Sequence, residues 1–160
     1  MISIIVAIAE NLAIGFENSL LYHISADMKR FKALTTGHTV LMGRKTFQSL
    51  PKGALPNRRN IVLTRSTDVS FPGAETFPSI EEALQHCSSD EKVYVIGGAA
   101  VYAQALPLAD ELEITLVHDT PLQADAFFPA FWEQGFTLVN KEDFPADDKT
   151  PAYSFLTFVK

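Results

Sequence analysis

Asp27 is the residue around which chemistry can be built. It lies in the stretch Ile24-Ser25-Ala26-Asp27-Met28-Lys29-Arg30-Phe31-Lys32-Ala33-Leu34. At about 100° per residue, Ile24, Met28, Phe31 and Leu34 fall on one side of a helix while Lys29 and Lys32 face away. Asp27 falls within the apolar side, and Ser25 is the expected N-cap, which places the acid in the first turn. An acid in a first turn often only complements the helix dipole, and then it faces outward. One turned inward is a candidate proton donor, because burial penalises its charged form.

The second kind of chemistry is anion binding. From Met28 through Thr67 the chain has no Asp or Glu. Of its 13 basic residues, the same span holds Lys29, Arg30, Lys32, Arg44, Lys45, Lys52, Arg58, Arg59 and Arg65. A charge run is usually a solvated face, but this one stands in a chain of net charge −6 and suggests a surface that receives anions. Gly43-Arg44-Lys45-Thr46 follows a short apolar run, a strand-to-helix turn that aims backbone N–H groups, cations and a hydroxyl at one place. Thr64-Arg65-Ser66 ends another strand in the same manner. Gly97-Gly98-Ala99, after Val93 to Ile96, repeats the turn with two glycines that permit close backbone approach. It is not the G-x-G-x-x-G fingerprint, and a tight turn without a ligand accounts for it equally well.

These groups need a frame. Ile2 to Ala9 is an almost continuous apolar run, expected to be a strand covered on both faces. Glu10 to His23 reads as a loop, with turn residues Asn11, Gly15, Asn18 and Ser19; its apolar Leu20-Leu21-Tyr22 is either tucked onto the core or a lid. The Asp27 helix stops at Gly37. Further strands are expected at Thr39–Met42, Asn60–Arg65, Ala74–Phe77, Lys92–Ile96 and Leu112–Val117. Helices are expected after Gly43, after the capping box Ser79-Ile80-Glu81-Glu82 and after Gly98, the last ended by Pro107. Phe127-Phe128-Pro129 and Phe131-Trp132 read as core. Gly135–Asn140 and Ala152–Val159 are expected as antiparallel strands around an acidic turn, Lys141 to Lys149. Strands alternating with helices imply an α/β sheet, mostly parallel, whose ligands sit at the carboxyl ends of its strands.

Bulk properties narrow the classes. A chain of 160 residues, 47 % of them hydrophobic, supports one domain with a sizeable core. The negative net charge argues against nucleic-acid or acidic-membrane binding. The single cysteine, Cys87, excludes a disulfide framework and fits a reducing compartment. His23, His38, His86 and His118 are scattered without ligand spacing, so no metal is expected. The N-terminal apolar run is too short for a signal or a span, and a cytoplasmic location is expected.

The chain resembles the bacterial dihydrofolate reductases along essentially its whole length. The resemblance rests on Ile2 to Ala9, Ile14-Gly15, Ala26-Asp27-Met28 with Phe31, Met42-Gly43-Arg44-Lys45-Thr46-Phe47, Leu55-Pro56 with Arg58, Val95-Ile96-Gly97-Gly98 with Val101-Tyr102, and Thr115. It implies a single domain, an eight-stranded mostly parallel sheet with an antiparallel C-terminal strand and about four flanking helices, with residues 38–106 as a cofactor-binding subdomain. It further implies a monomer that uses NADPH to reduce 7,8-dihydrofolate to tetrahydrofolate. Hydride goes to pterin C6, and Asp27 promotes protonation of N5. Thr115 would hydrogen-bond to that acid, and Ile5, Met28, Phe31, Leu50 and Leu55 would line the substrate pocket. Arg58 would take the carboxylate of the glutamate tail, where a planar fork suits the group.

On the cofactor side, the resemblance implies that the backbone of Ala7 and Ile14 holds the nicotinamide amide, with Gly15 and Tyr102 nearby. Gly43, Lys45, Thr46, Ile96, Gly97, Gly98 and Ala99 would surround the pyrophosphate, with a cis peptide at Gly97–Gly98. Arg44, Thr64, Arg65 and Ser66 would recognise the 2′-phosphate. Gly15 to Tyr22 would be a mobile loop over the nicotinamide. Three positions depart from the family pattern. Tyr22 stands where a tryptophan that orders water near the acid is usual, Leu21 where a proline is usual, and Ala99-Ala100 lacks a basic residue; Tyr22 is expected to hold the water in its place. A non-catalytic binding protein on this fold would not need Asp27, Thr115 and Arg58 together. A reductase of another pterin or pyrimidine, such as those of the riboflavin pathway, would not need Arg58.

Overall fold

The computed structural model describes every residue except Asn18 and Thr67, and Ser19 through its backbone alone. The turn expected at Asn18 therefore lies outside the described residues, as does the last position of the acid-free span.

The main sheet is built from β1 (Ile2–Ala9), β4 (Thr39–Gly43), β5 (Arg59–Leu63), β6 (Ala74–Phe77), β7 (Val93–Val95), β8 (Glu111–Val117), β10 (Thr137–Phe144) and β11 (Tyr153–Val159). Their order across the sheet is β10-β11-β8-β1-β7-β4-β5-β6. From β8 to β6 every neighbouring pair is parallel, while β11 runs antiparallel to both β8 and β10. The helices are α1 (Ser25–Thr35), α2 (Arg44–Ser49), α3 (Ile80–Gln85) and α4 (Ala99–Ala105). This is the expected eight-stranded, mostly parallel sheet with four helices.

The near-continuous apolar runs follow from two covered faces. Along β1, Ile4, Val6 and Ile8 enter one core cluster and Ile5 the other; Leu41 against Val40 and Met42, and Ile61 against Val62, divide in the same way. Side chains such as Ile4 and Leu41, fully buried, stabilise the fold by about 1.5–3 kcal/mol each.

Several local expectations are corrected. Ser25 is the first helical residue and not the cap; the preceding residue is Ile24, itself buried, and no side-chain cap bond forms there. The stretch read as a loop contains β2 (Ala13–Phe16) and β3 (Ser19–Leu20), which with β9 (Ala126–Phe127) form a small three-stranded sheet. Strands this short carry too little alternation to announce themselves. Strand β10 continues through Lys141 to Phe144, so the acidic turn begins later than expected; charged residues are tolerated because β10 is an exposed sheet edge. Helix α4 ends at Ala105, and Pro107 lies inside a following 3-10 turn, Leu106–Leu108. Of the aromatic cluster, Phe128 and Phe131 are buried, but Phe127 and Trp132 are exposed. No helix among the described residues is long and apolar enough to cross a membrane.

Candidate active site

Helix α1 crosses the sheet so that Asp27 meets β8. The Thr115 hydroxyl, almost wholly buried, donates to Asp27 Oδ1 at 2.5 Å. Burial pushes the Asp27 carboxyl above the ordinary carboxylate range, against the opposing pulls of the Thr115 hydrogen bond and the Arg30 charge. In β8, Thr115 is the direct neighbour of Ala7 in β1. The acid is thus tied to the central strand of the sheet through one hydrogen bond and one strand pairing.

Ile5, Phe31, Leu50 and Leu55 belong to one apolar cluster, on one face of the sheet. Met28, expected on the same inward stripe, is 61 % exposed, because nothing in the protein covers this level of α1. Arg58 is half-buried. Its Nε donates to Pro56 O at 2.9 Å and its Nη1 to Thr35 Oγ1 at 3.1 Å. Its other terminal nitrogen has no protein partner among the described residues, so part of the fork is available to an anion.

The acid-free span does not form one basic surface. Arg59 is bound between Glu75 and Glu91, and Arg30 is paired with Glu113. These acids come from other parts of the chain, which is why the span looked uncompensated. Arg44, Lys45 and Arg65 remain exposed. The pairing of Gly43 with Leu63 sets Arg44 beside Thr64 at the carboxyl ends of β4 and β5.

At that end of the sheet lies a cleft of about 610 Å³. Among the residues expected to hold a cofactor, it is lined by Ala7, Ile14, Gly15, Gly43, Arg44, Lys45, Thr46, Ile96, Gly97, Gly98, Ala99 and Tyr102. Thr64, Arg65 and Ser66 lie outside this lining, following β5, where Thr64 Oγ1 accepts from Ser66 N at 3.1 Å. Val6, Leu20, Ser49 and Ala126 also line the cleft. None of them carries a local motif, and Ala126 reaches it only through the β2–β9 pairing.

Two glycine turns form its floor. Gly43 N donates to Gly97 O at 2.9 Å, joining the ends of β4 and β7. The Gly97–Gly98 peptide is cis, and Gly97 has φ +128°. A Cβ at Gly97 would stand in ordinary contact, 3.4 Å from both Thr46 Oγ1 and the Tyr102 hydroxyl; it is the positive φ that reserves the position for glycine and leaves the backbone bare there. Tyr102 is buried and donates to Ile5 O at 2.9 Å, and burial, with the Asp27 charge second, raises its phenol far above the ordinary range.

The β2–β3 hairpin edges the cleft. Asp125 N donates to Gly15 O, and Glu17 N donates to Asp125 Oδ2, both at 3.0 Å. Leu20 lines the cleft and is 64 % exposed, so it is not tucked onto the core. Tyr22 does not reach the acid with its hydroxyl, which donates to Asp119 Oδ2 at 2.7 Å.

A cleft lined by Arg44 and Lys45 at the carboxyl ends of parallel strands lies one strand away from an acid whose pKa is raised by burial, an arrangement that suits a nucleotide-dependent reductase. The sequence model of the family described as "Dihydrofolate reductase" matches residues 1–160. A dihydrofolate reductase of Neisseria meningitidis serogroup A is 43 % identical over 159 residues, covering 99 % of this chain and 98 % of that protein. That of Bacillus subtilis is 42 % identical over 161 residues, covering 100 % and 95 %. The structure of the Enterococcus faecalis dihydrofolate reductase complexed with NADP(H) and RAB-propyl superposes with a TM-score of 0.89 at 34 % identity, covering 99 % of this chain and 95 % of that one. The chain belongs to the dihydrofolate reductase family.

Proposed function

We propose that this chain is an NADPH-dependent oxidoreductase that reduces 7,8-dihydrofolate to 5,6,7,8-tetrahydrofolate, with Asp27 as its acid. One observation carries the assignment of the acid. Thr115 holds Asp27 beside the same central strand whose Ala7 lines the cleft, so substrate and cofactor would meet across β1.

The residues present fit the cofactor. The cleft volume lies within the range of small-molecule sites, about 300–1,000 Å³. The side-chain-free turn at Gly97 and Gly98 and the Thr46 hydroxyl suit a pyrophosphate, and Arg44, Thr64, Arg65 and Ser66 suit a 2′-phosphate. Ala7 and Ile14 would offer backbone groups to the nicotinamide amide, with Gly15, Gly43, Lys45, Ile96, Ala99 and Tyr102 completing the wall. Bound NADPH supplies the hydride for pterin C6. Residues 38–106 then act as the cofactor-binding subdomain.

The chain's own part is proton handling, orientation and exclusion of water. Asp27 holds the pterin amino group and ring nitrogen and promotes protonation of N5; Thr115 fixes the orientation of its carboxylate. Ile5, Met28, Phe31, Leu50 and Leu55 form the apolar wall, and Met28's exposure in the protein alone is the exposure of a surface that substrate would cover. The free part of the Arg58 fork receives the terminal carboxylate. The hairpin carrying Leu20 and Tyr22 closes the cleft. The product places the enzyme in one-carbon metabolism and makes it an antifolate target.

The net charge of −6 supports a protein without nucleic-acid or membrane partners, and the one cysteine a cytoplasmic location. Lys141, Glu142 and Asp143 on the edge strand β10 discourage edge-to-edge pairing and support a monomer, which light scattering after gel filtration would test.

NADPH oxidation with 7,8-dihydrofolate, run beside NADH and beside Asp27→Asn, tests the reading. Turnover is expected with NADPH, weakly with NADH, and at least about 10²-fold lower in the variant at neutral pH. Equal turnover by the variant, or none by the wild type, would overturn it.

A further inference from the structure

Outside the acid and its threonine, one polar pair on the same face of the sheet has no part in binding or proton transfer. Glu113 precedes Thr115 by two residues in β8, so both side chains point to one face. It is buried to 7 % exposure. It accepts hydrogen bonds from Arg30 and, at 2.9 Å, from the Thr157 hydroxyl of β11. Thr157 is the cross-strand neighbour of Glu113, as Phe155 is of Thr115. The Arg30 guanidinium lies over the Phe155 ring, 4.6 Å from its centre. Arg30 is also three residues beyond Asp27 in α1, on the same side of the helix.

Two polar links therefore tie α1 to β8, spaced by one helical turn on one side and one strand repeat on the other. Asp27 with Thr115 is one; Arg30 with Glu113 is the second. We infer that Glu113 is a positioning residue for the reaction: anchored by Thr157, it draws Arg30 onto Phe155 and cancels its charge, leaving Asp27 able to hold a proton.

The charge balance around the acid supports this. Arg30 is the cation whose field opposes the burial of Asp27. From α1 that is the charged neighbour, and from β8 it is Glu113. From α4, Tyr102 faces Asp27 with its hydroxyl committed to Ile5 O. β1 contributes no ionisable side chain, being Ile-Ser-Ile-Ile-Val-Ala-Ile-Ala. Phe155 of β11 contributes only a ring, and Tyr22 is bonded to Asp119. Without Glu113 the charge of Arg30 would act on Asp27 unopposed and favour the carboxylate.

The inference rests on Asp27 as the acid, so the test has two arms. One is a ¹³C NMR titration of the Asp27 carboxyl in the protein without ligands. The other is the single-turnover rate of NADPH oxidation with 7,8-dihydrofolate across pH. Glu113→Gln keeps the shape and loses only the charge. It should move the Asp27 midpoint toward lower pH and slow turnover about three- to tenfold on the alkaline side, with little loss on the acid side. Arg30→Met should move the midpoint the opposite way, and the double variant should return it near wild type, as a pairwise coupling requires. An unmoved or raised midpoint in Glu113→Gln, or rates lowered equally at every pH, makes Glu113 merely structural and overturns the inference. So does an Arg30→Met midpoint that falls. Midpoints that move as expected while the rate profile stays fixed uphold the charge coupling and remove Asp27 as the acid.

Discussion

Thr115 and Asp27 are 88 residues apart in sequence and 2.5 Å apart in space, joined through a hydroxyl that has almost no other exposure. The bond has two consequences. It opposes the burial that raises the Asp27 pKa, and it leaves one carboxylate oxygen, Oδ2, for other partners. An acid so held is destabilising to the fold and useful to the reaction, and the two effects separate by pH.

Asp27→Asn should make the protein more resistant to heat at neutral pH while removing most turnover. The Asp27 pKa is raised above its value in the unfolded chain. Stability from this residue is therefore full below the unfolded value and falls as pH rises through the folded one. The amide never charges, so the variant escapes that fall. Thermal unfolding is expected to show a higher Tm for the variant at about pH 7 and no difference near pH 3, where both side chains are neutral. A variant less stable at neutral pH would show that the carboxylate is held by more than it costs.

Arg58→Leu should weaken dihydrofolate far more than NADPH. The guanidinium spends two nitrogens on Pro56 and Thr35, and the remainder is the part proposed for the substrate carboxylate. A hydrogen bond to a charged group is worth about 1.5–3 kcal/mol, or roughly a tenfold to hundredfold rise in KM. Titration of the variant with each ligand separately checks it. Equal losses for both ligands would make Arg58 a tether of the Pro56 loop to α1.

The sheet was legible because both of its faces are covered. Ile2 to Ala9 and Val93 to Val95 are apolar runs that few other structures would use, and Gly43 and Gly97-Gly98 mark the turns that follow. Asp27 was legible as an inward acid from its own helix, but its threonine only through the family resemblance. A threonine in a strand is ordinary, and only the β1–β8 register brings Thr115 to α1. The same holds for Glu113, an acid at a buried-face position of an apolar strand, whose meaning depends on Arg30 lying above it. The basic span misled for a related reason: the acids that neutralise Arg59 and Arg30 are Glu75, Glu91 and Glu113, all outside the span. The β2–β3 hairpin was half legible. Leu20-Leu21-Tyr22 announced an apolar loop, yet the hairpin depends on Asp125 and Phe127, more than a hundred residues away.

Replacing Arg44 and Arg65 by Ala should erase the preference for NADPH over NADH without lowering turnover at saturation. Both are exposed at the carboxyl end of the sheet, beside Thr64 and Ser66. Each charge-assisted contact to a phosphate is worth about 1.5–3 kcal/mol, so each single variant should lose roughly tenfold or more in NADPH affinity. NADH affinity should be unchanged, since it presents no 2′-phosphate. Fluorescence titration with both nucleotides separates the cases. A parallel loss for NADH would place these arginines at the shared pyrophosphate.

Tyr22→Phe distinguishes a proton relay from a latch. The position is the one where the family pattern has a tryptophan near the acid, and a phenol there was expected to hold the same water. In the structure the hydroxyl is taken by Asp119, whose backbone also accepts from Glu10 N at 3.0 Å, so the bond joins the loop before α1 to the segment after β8. Removing an exposed hydrogen bond to a carboxylate costs about 1 kcal/mol. The expected result is a KM for NADPH raised about threefold to fivefold, from a hairpin less often closed, with the pH midpoint of turnover unmoved. Steady-state kinetics across pH reads both quantities together. A midpoint that shifts while the KM stays constant would put the hydroxyl back on the proton path, with the Asp119 contact broken when substrate binds.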